Sequence, residues 1–132
     1  LHVYSPGKWI GHNDGRFLIS GWSKNEDTHR WSEGHSAKIG FILKELPSSP
    51  SMNLVVVPSM VMGWQYAEIF INGRKAGIAL FHGPKEYRIK FRTALLKENA
   101  PNEIRLNFPR AKAVKSDPRL LAVALGKIGL FH

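Results

Sequence analysis

Between Gly21 and Gly34 the chain gathers the side chains best suited to chemistry: Trp22, Glu26, His29, Arg30, Trp31 and Glu33, set among Ser, Lys, Asn and Asp. An indole has a large apolar body and a single N–H donor, so two of them in so polar a stretch must either plug a core or meet a ligand. Trp22 directly follows an apolar run and reads as core. Trp31 reads as a ligand contact or a loop anchor. Glu26 precedes Arg30 by four residues, which leaves open an ion pair that pins the stretch or two polar arms for a ligand. Trp9 and Trp64 complete the aromatic set, and Trp64, just before a hairpin signal, is divided between the same two roles.

Catalytic arrangements find little support. No Ser lies in a Gly-x-Ser-x-Gly elbow and no His-Glu-x-x-His occurs. The six histidines (His2, His12, His29, His35, His82 and His132) lack metal-ligand spacing; His29 and His35 flank Trp31, but no matching carboxylate or Cys pattern accompanies them. Glu26, Asp27 and Glu33 could supply a carboxylate pair, yet most of the ten acids stand beside bases. No Gly-rich phosphate loop is present. The expectation is a non-enzyme without metal or cofactor. Trp, Arg, Glu and Asn on loops of a rigid scaffold suit carbohydrate better, because a pyranose offers a C–H face to an indole and hydroxyls to planar polar groups.

The elements that must hold these residues are strands. Arg16–Ser20, Ala37–Leu43 and Leu54–Val57 are short apolar runs, the last ending at Pro58. Tyr66–Ile71 and Arg74–Phe81 flank Asn72-Gly73, whose tolerance of positive φ makes this the clearest hairpin in the chain. Tyr87–Arg92 alternates strictly, with Tyr87, Ile89 and Phe91 on one face and Arg88, Lys90 and Arg92 on the other, a half-buried strand with a basic outer face. Thr93–Asn99 has the composition of one or two helical turns. Ile104–Phe108 alternates again, and Ala111–Ser116 reads as a polar loop. The closing run Leu120–Phe131 has helical propensity but carries Gly126 and Gly129, and reads as a long strand bulged at a glycine. About eight short strands with turn residues between them predict an all-β, two-sheet antiparallel jelly-roll sandwich. Gly21–Gly34 is expected to be a long connection within it.

At 132 residues the chain suffices for one domain with a real core, spanning residues 1–132. Nineteen Lys and Arg against ten Asp and Glu give a net charge of +9, which favours an anionic partner without naming one. Absence of Cys excludes disulfides and Cys-based zinc sites. No run reaches the ~18–20 apolar residues that span a bilayer as a helix. The chain opens on Leu with no signal peptide, which suggests a domain excised from a longer protein. Basic residues are scattered rather than interleaved with aromatics; Arg110–Lys115 is the densest patch, and it reads as an exposed loop, so nucleic acid is not expected.

The pattern Gly21-Trp22, Glu26, Arg30-Trp31-Ser32 and Gly34, with the hairpin Ile69–Gly73 and the closing run Phe108–Ala111 and Ser116–Leu125, resembles a small β-sandwich domain of bacterial envelope-glycan proteins. That domain occurs, often C-terminally, in glycosyltransferases and phosphoglycerol transferases that build surface polysaccharides or periplasmic glucans. The resemblance covers roughly residues 16–131. The hairpin is shared with many galactose-binding-like modules, whereas Glu26-x-x-x-Arg30-Trp31 and Asp117-Pro118-Arg119 are more distinctive. Ala122 departs from the Gly commonly found there. The resemblance implies an accessory, carbohydrate-binding-like sandwich, located at the bacterial cell envelope and attached to an enzyme of glycan assembly. Glu26, Arg30, Trp31, Asp117 and Arg119 carry over as site residues or as a structural network joining the first and last strands. With Trp64 they form the expected carbohydrate-binding set, for a bacterial glycan that the +9 charge would suit if acidic. Two other roles stay open: a module that docks on its parent enzyme, and an electrostatic binder of nucleic acid or anionic lipid.

Overall fold

Each alternating run presents one apolar face that only a second sheet can cover, and the chain resolves this as two packed antiparallel sheets. The computed structural model describes residues 1–132. In order it contains β1 (Trp9–Gly11), β2 (Leu18–Ser20), β3 (Arg30–Glu33), β4 (Ser36–Ile42), β5 (Ser51–Val61), β6 (Gln65–Ile71), β7 (Arg74–Phe81), β8 (Tyr87–Arg92), a 3-10 turn at Thr93–Leu95, β9 (Pro101–Asn107), β10 (Lys112–Val114) and β11 (Asp117–Phe131). One sheet has the order β2-β4-β9-β6-β7. The other has the order β1-β11-β5-β8, with β3 and β10 also paired to β11. The expected jelly-roll sandwich is the observed architecture.

Between the sheets, Ile39, Phe41, Ile69, Ile71, Ile104 and Leu106 of the first meet Met52, Leu54, Val56, Phe91, Ile128 and Leu130 of the second, all at most 4% exposed. Burying each such side chain contributes roughly 1.5–3 kcal/mol, so this layer dominates stability. The Asn72-Gly73 turn has the positive φ values (51° and 81°) expected of it. Asn72 also ties the hairpin down: its side-chain oxygen accepts from the Glu103 N–H, and its amide donates to Asn102 and to the Leu95 carbonyl.

Four expectations are corrected. Eleven strands replace about eight, because β1, β3 and β10 are short segments that pair with the long β11. As a result the Gly21–Gly34 stretch contains a strand, and the Ala111–Ser116 loop contains another. β5 does not end at Pro58 but runs to Val61; Pro58 faces Leu125 where the register shifts, a place that tolerates a missing N–H. The helical turns expected after Thr93 amount to one 3-10 turn. The strand reading of the closing run holds, and the register slips between Leu125 and Lys127 around Gly126. A Cβ at Gly126 would lie 2.9 Å from the Val57 carbonyl oxygen, so this approach of β11 to β5 needs glycine.

Candidate functional site

The polar stretch is held as a folded-back ribbon at one end of the sandwich. Gly21, at φ 77°, lets the chain press against β4, where a Cβ would fall 2.0 Å from the Ser36 carbonyl oxygen. From there Glu33 N–H donates to the Gly21 carbonyl, Ser23 N–H to Trp31, and Glu26 N–H to His29. The buried Ser32 hydroxyl accepts from Val123 N–H at 3.0 Å and stitches the ribbon to β11. Trp22 packs against the main core while its indole N–H donates to the Lys38 carbonyl, in keeping with its reading as core.

Trp31 is the anchor of the ribbon. Its side chain sits in a satellite cluster with Leu121, Ala124 and Met62, with the His29 ring edge-on at 5.9 Å, and the residue is only 9% exposed. Of its two readings, ligand contact or loop anchor, this packing favours the anchor. Arg30 likewise turns inward along β3, opposite Leu125, and its Nε is buried without a partner. No Glu26–Arg30 ion pair forms. Glu26 instead approaches His29, at 3.5 Å.

Glu26 does meet Arg119. Together with Lys24, which sequence reasoning did not single out, they line a recess of about 230 Å³. Asp117 stands behind as the second arm of a fork: Arg119 Nε donates to Oδ1 at 3.0 Å and Nη2 to Oδ2 at 2.6 Å. That hydrogen-bonded guanidinium holds the Asp117 carboxyl below its ordinary range and raises the Arg119 pKa in turn. Glu33 and Glu26 add attraction to Arg119. The recess is thus a mixed donor–acceptor pocket with one arm fixed in place, suited to hydroxyl groups rather than to net charge.

Trp64 is apart from the recess but belongs to the same end. It occupies the turn between β5 and β6, which follows Met62 of the Trp31 cluster, and Gln65 fastens that turn by donating to the Met62 and Arg110 carbonyls. The Trp64 residue is 56% exposed and stacks on His82 at 4.1 Å with the rings 26° from parallel. His82 therefore backs one face and leaves the ring held as a platform. Trp9 differs, because Phe131 lies 4.6 Å away and Lys127 Nζ sits 4.3 Å over its ring. Of the six expected residues, then, Glu26, Asp117 and Arg119 are brought together, Trp64 stands apart and exposed, Trp31 is packed in the satellite cluster and Arg30 is half-buried on β3.

No protein-family model matches the chain, and no curated protein matches it in sequence. Solved structures do match in shape. A family 35 carbohydrate-binding module from Clostridium thermocellum superposes with a TM-score of 0.58 at 13% identity, covering 94% of this chain and 98% of that one. A family 36 carbohydrate-binding module solved with calcium and xylotriose gives 0.53 at 12% identity, covering 93% and 98%. The chain shares the jelly-roll fold of these modules. An acetyl xylan esterase from the rumen bacterium Butyrivibrio proteoclasticus also matches, at 0.54 and 12% identity; 92% of this chain is covered, and it spans 31% of the esterase. At such identities the likeness is one of fold.

Proposed function

We propose that this domain is a non-catalytic carbohydrate-binding module and that its loop-bearing end takes the sugar. The observation that carries the reading is Trp64, an exposed indole held rigid against His82 at the end of the sandwich where the Lys24–Glu26–Arg119 recess opens. The platform offers a C–H stacking surface and the recess offers donors and acceptors for hydroxyls, the two halves of pyranose recognition. Support also comes from the whole-length match in fold to carbohydrate-binding modules. A bacterial surface or periplasmic glycan is the proposed ligand, with the domain accessory to a glycan-assembly enzyme.

Calorimetric titration against neutral and acidic envelope glycans tests this, with Trp64→Ala as the control. Binding that the variant loses while its melting curve is unchanged is the expected result, and no heat at millimolar glycan would sink the proposal. Docking onto a partner protein has one observation in its favour, the outward Ile78 and Leu80 of edge strand β7, each more than half exposed. A partner lying along that edge would slow amide exchange in β7, whereas a glycan at the loop end would not.

A further inference from the structure

The surplus of positive charge is unevenly distributed. Six carboxylates sit beside a basic side chain: Asp14 by Arg16, Glu26 by His29, Glu68 by Lys75, Glu86 by Arg88, Glu103 by Lys38 and Asp117 by Arg119. Arg74, Lys90 and Arg92 have no ion pair and no side-chain hydrogen bond. These three and Lys75 line one cleft of about 450 Å³.

The topology builds this cleft. β7 is the outer strand of one sheet and β8 of the other, so the two edges meet along one flank of the sandwich. The Asn72-Gly73 turn delivers Arg74 and Lys75 at the start of β7. The alternation of β8 buries Ile89 and Phe91 and leaves Lys90 and Arg92 outward, ~7 Å apart along the strand. Their neighbours across the pairing with β5 are Asn53 and Ser51, which bring no negative charge. Glu68 reaches Lys75, at 3.2 Å, and no carboxylate lines the cleft. Its apolar floor is Ala76, Leu95 and the 4%-exposed Phe91. Of the four cations around the concavity, Lys75 is paired with Glu68 and the other three are uncompensated; these repel one another, and the concavity focuses their field, so an oxyanion there is favoured. The guanidinium groups match carboxylate or phosphate in a two-pronged fashion, and the ammonium groups act as point charges.

We propose that the β7–β8 cleft is an oxyanion-binding site that takes carboxylate or phosphate groups carried along a polyanionic glycan. The preference for an oxyanion rests on the cleft alone, and the glycan as carrier rests on the reading above. Single-stranded nucleic acid is disfavoured because no exposed aromatic ring lines the cleft to stack a base, and duplex DNA is an arm of the test below. A membrane surface is disfavoured because the apolar lining lies at the floor rather than on a projecting rim that could enter lipid.

The experiment titrates polygalacturonate, neutral xylan, duplex DNA and anionic phospholipid vesicles into the domain and into two variants. One variant combines Arg74→Gln, Lys90→Gln and Arg92→Gln; the other is Trp64→Ala. All three cations are exposed and unbonded, so the triple variant should keep its fold, and Lys90→Gln and Arg92→Gln singly give a graded check. The triple variant is expected to bind polygalacturonate about tenfold more weakly or worse, and the parent's affinity should fall with added salt. Trp64→Ala should remove neutral-xylan binding, and the polygalacturonate binding that it retains should keep the parent's salt dependence. Equal polygalacturonate affinity in parent and triple variant overturns the cleft. DNA or vesicle binding lost in the triple variant, with none for polygalacturonate, overturns the glycan carrier. Polygalacturonate binding at the cleft, with no glycan binding sensitive to Trp64→Ala, upholds this proposal and removes the loop-end site instead.

Discussion

At the loop-bearing end, Lys24 and Arg119 stand with Glu26, Asp117 forks onto Arg119, and an exposed indole stands apart from them. At the other end Arg74, Lys75, Lys90 and Arg92 share a cleft lined by no carboxylate and no exposed ring. β5 links the two, its 11 residues running from Ser51 at the cleft to Val61 by the Trp64 turn, roughly 35 Å at strand rise. That distance is several Debye lengths at physiological salt, so the two ends sense each other's charge weakly. What distinguishes the second end is a set of cations with no carboxylate in the lining, whereas the first mixes both signs. A ligand could be held by shape and hydroxyl hydrogen bonds at one and by charge at the other.

The contrast can be broken in several places. The largest effect is expected from Trp31→Ala, which empties the satellite cluster beneath the ribbon and should cost about 3 kcal/mol in urea unfolding. Stability left intact with glycan binding abolished would show that Trp31 faces ligand after all. Next comes Trp64→Ala, expected to weaken neutral-glycan binding by about tenfold, some 1.4 kcal/mol, and to change stability by less than about 0.5 kcal/mol. A large loss of stability would mean that the His82 stack is structural. Ionic strength separates the ends more gently: raising salt from ~50 to ~200 mM should weaken a polyanion at the cleft and leave a neutral glycan nearly unaffected. Equal salt dependence for both ligands would erase the distinction.

The smallest effect concerns pH. Asp117 is held below its ordinary range by Arg119, so the fork is fully formed above the unfolded carboxyl value of ~3.9 and is lost as pH falls through the lower folded value. NMR titration of the Asp117 carboxyl should give a midpoint below the usual one, and Asp117→Asn should free Arg119 with a modest loss of glycan affinity. A midpoint in the ordinary range would mean that the fork is absent in solution.

The sequence by itself determined the layers, because period-two alternation and the Asn72-Gly73 turn are local properties that any sandwich must satisfy with the same faces inward. Asp117 and Arg119 entered through the resemblance of Asp117-Pro118-Arg119 to a family pattern, and the fork between them was seen only in the structure. Roles that depend on what lies across the sheet were out of the sequence's reach. Trp31 and Trp64 look equivalent along the chain, yet β11 covers the first while His82 backs only one face of the second. An unbulged Asn72-Gly73 hairpin would set Trp64 opposite Phe81; the register shift between Ile69 and Phe70 moves it opposite His82, and so creates the stacked platform. Arg74 and Lys75 are separated from Lys90 and Arg92 by fifteen or more residues, and only the meeting of two sheet edges makes them one cleft. Pairing register and edge placement are set by the packing of whole sheets, so the chemistry that depends on them was decided by the tertiary structure alone.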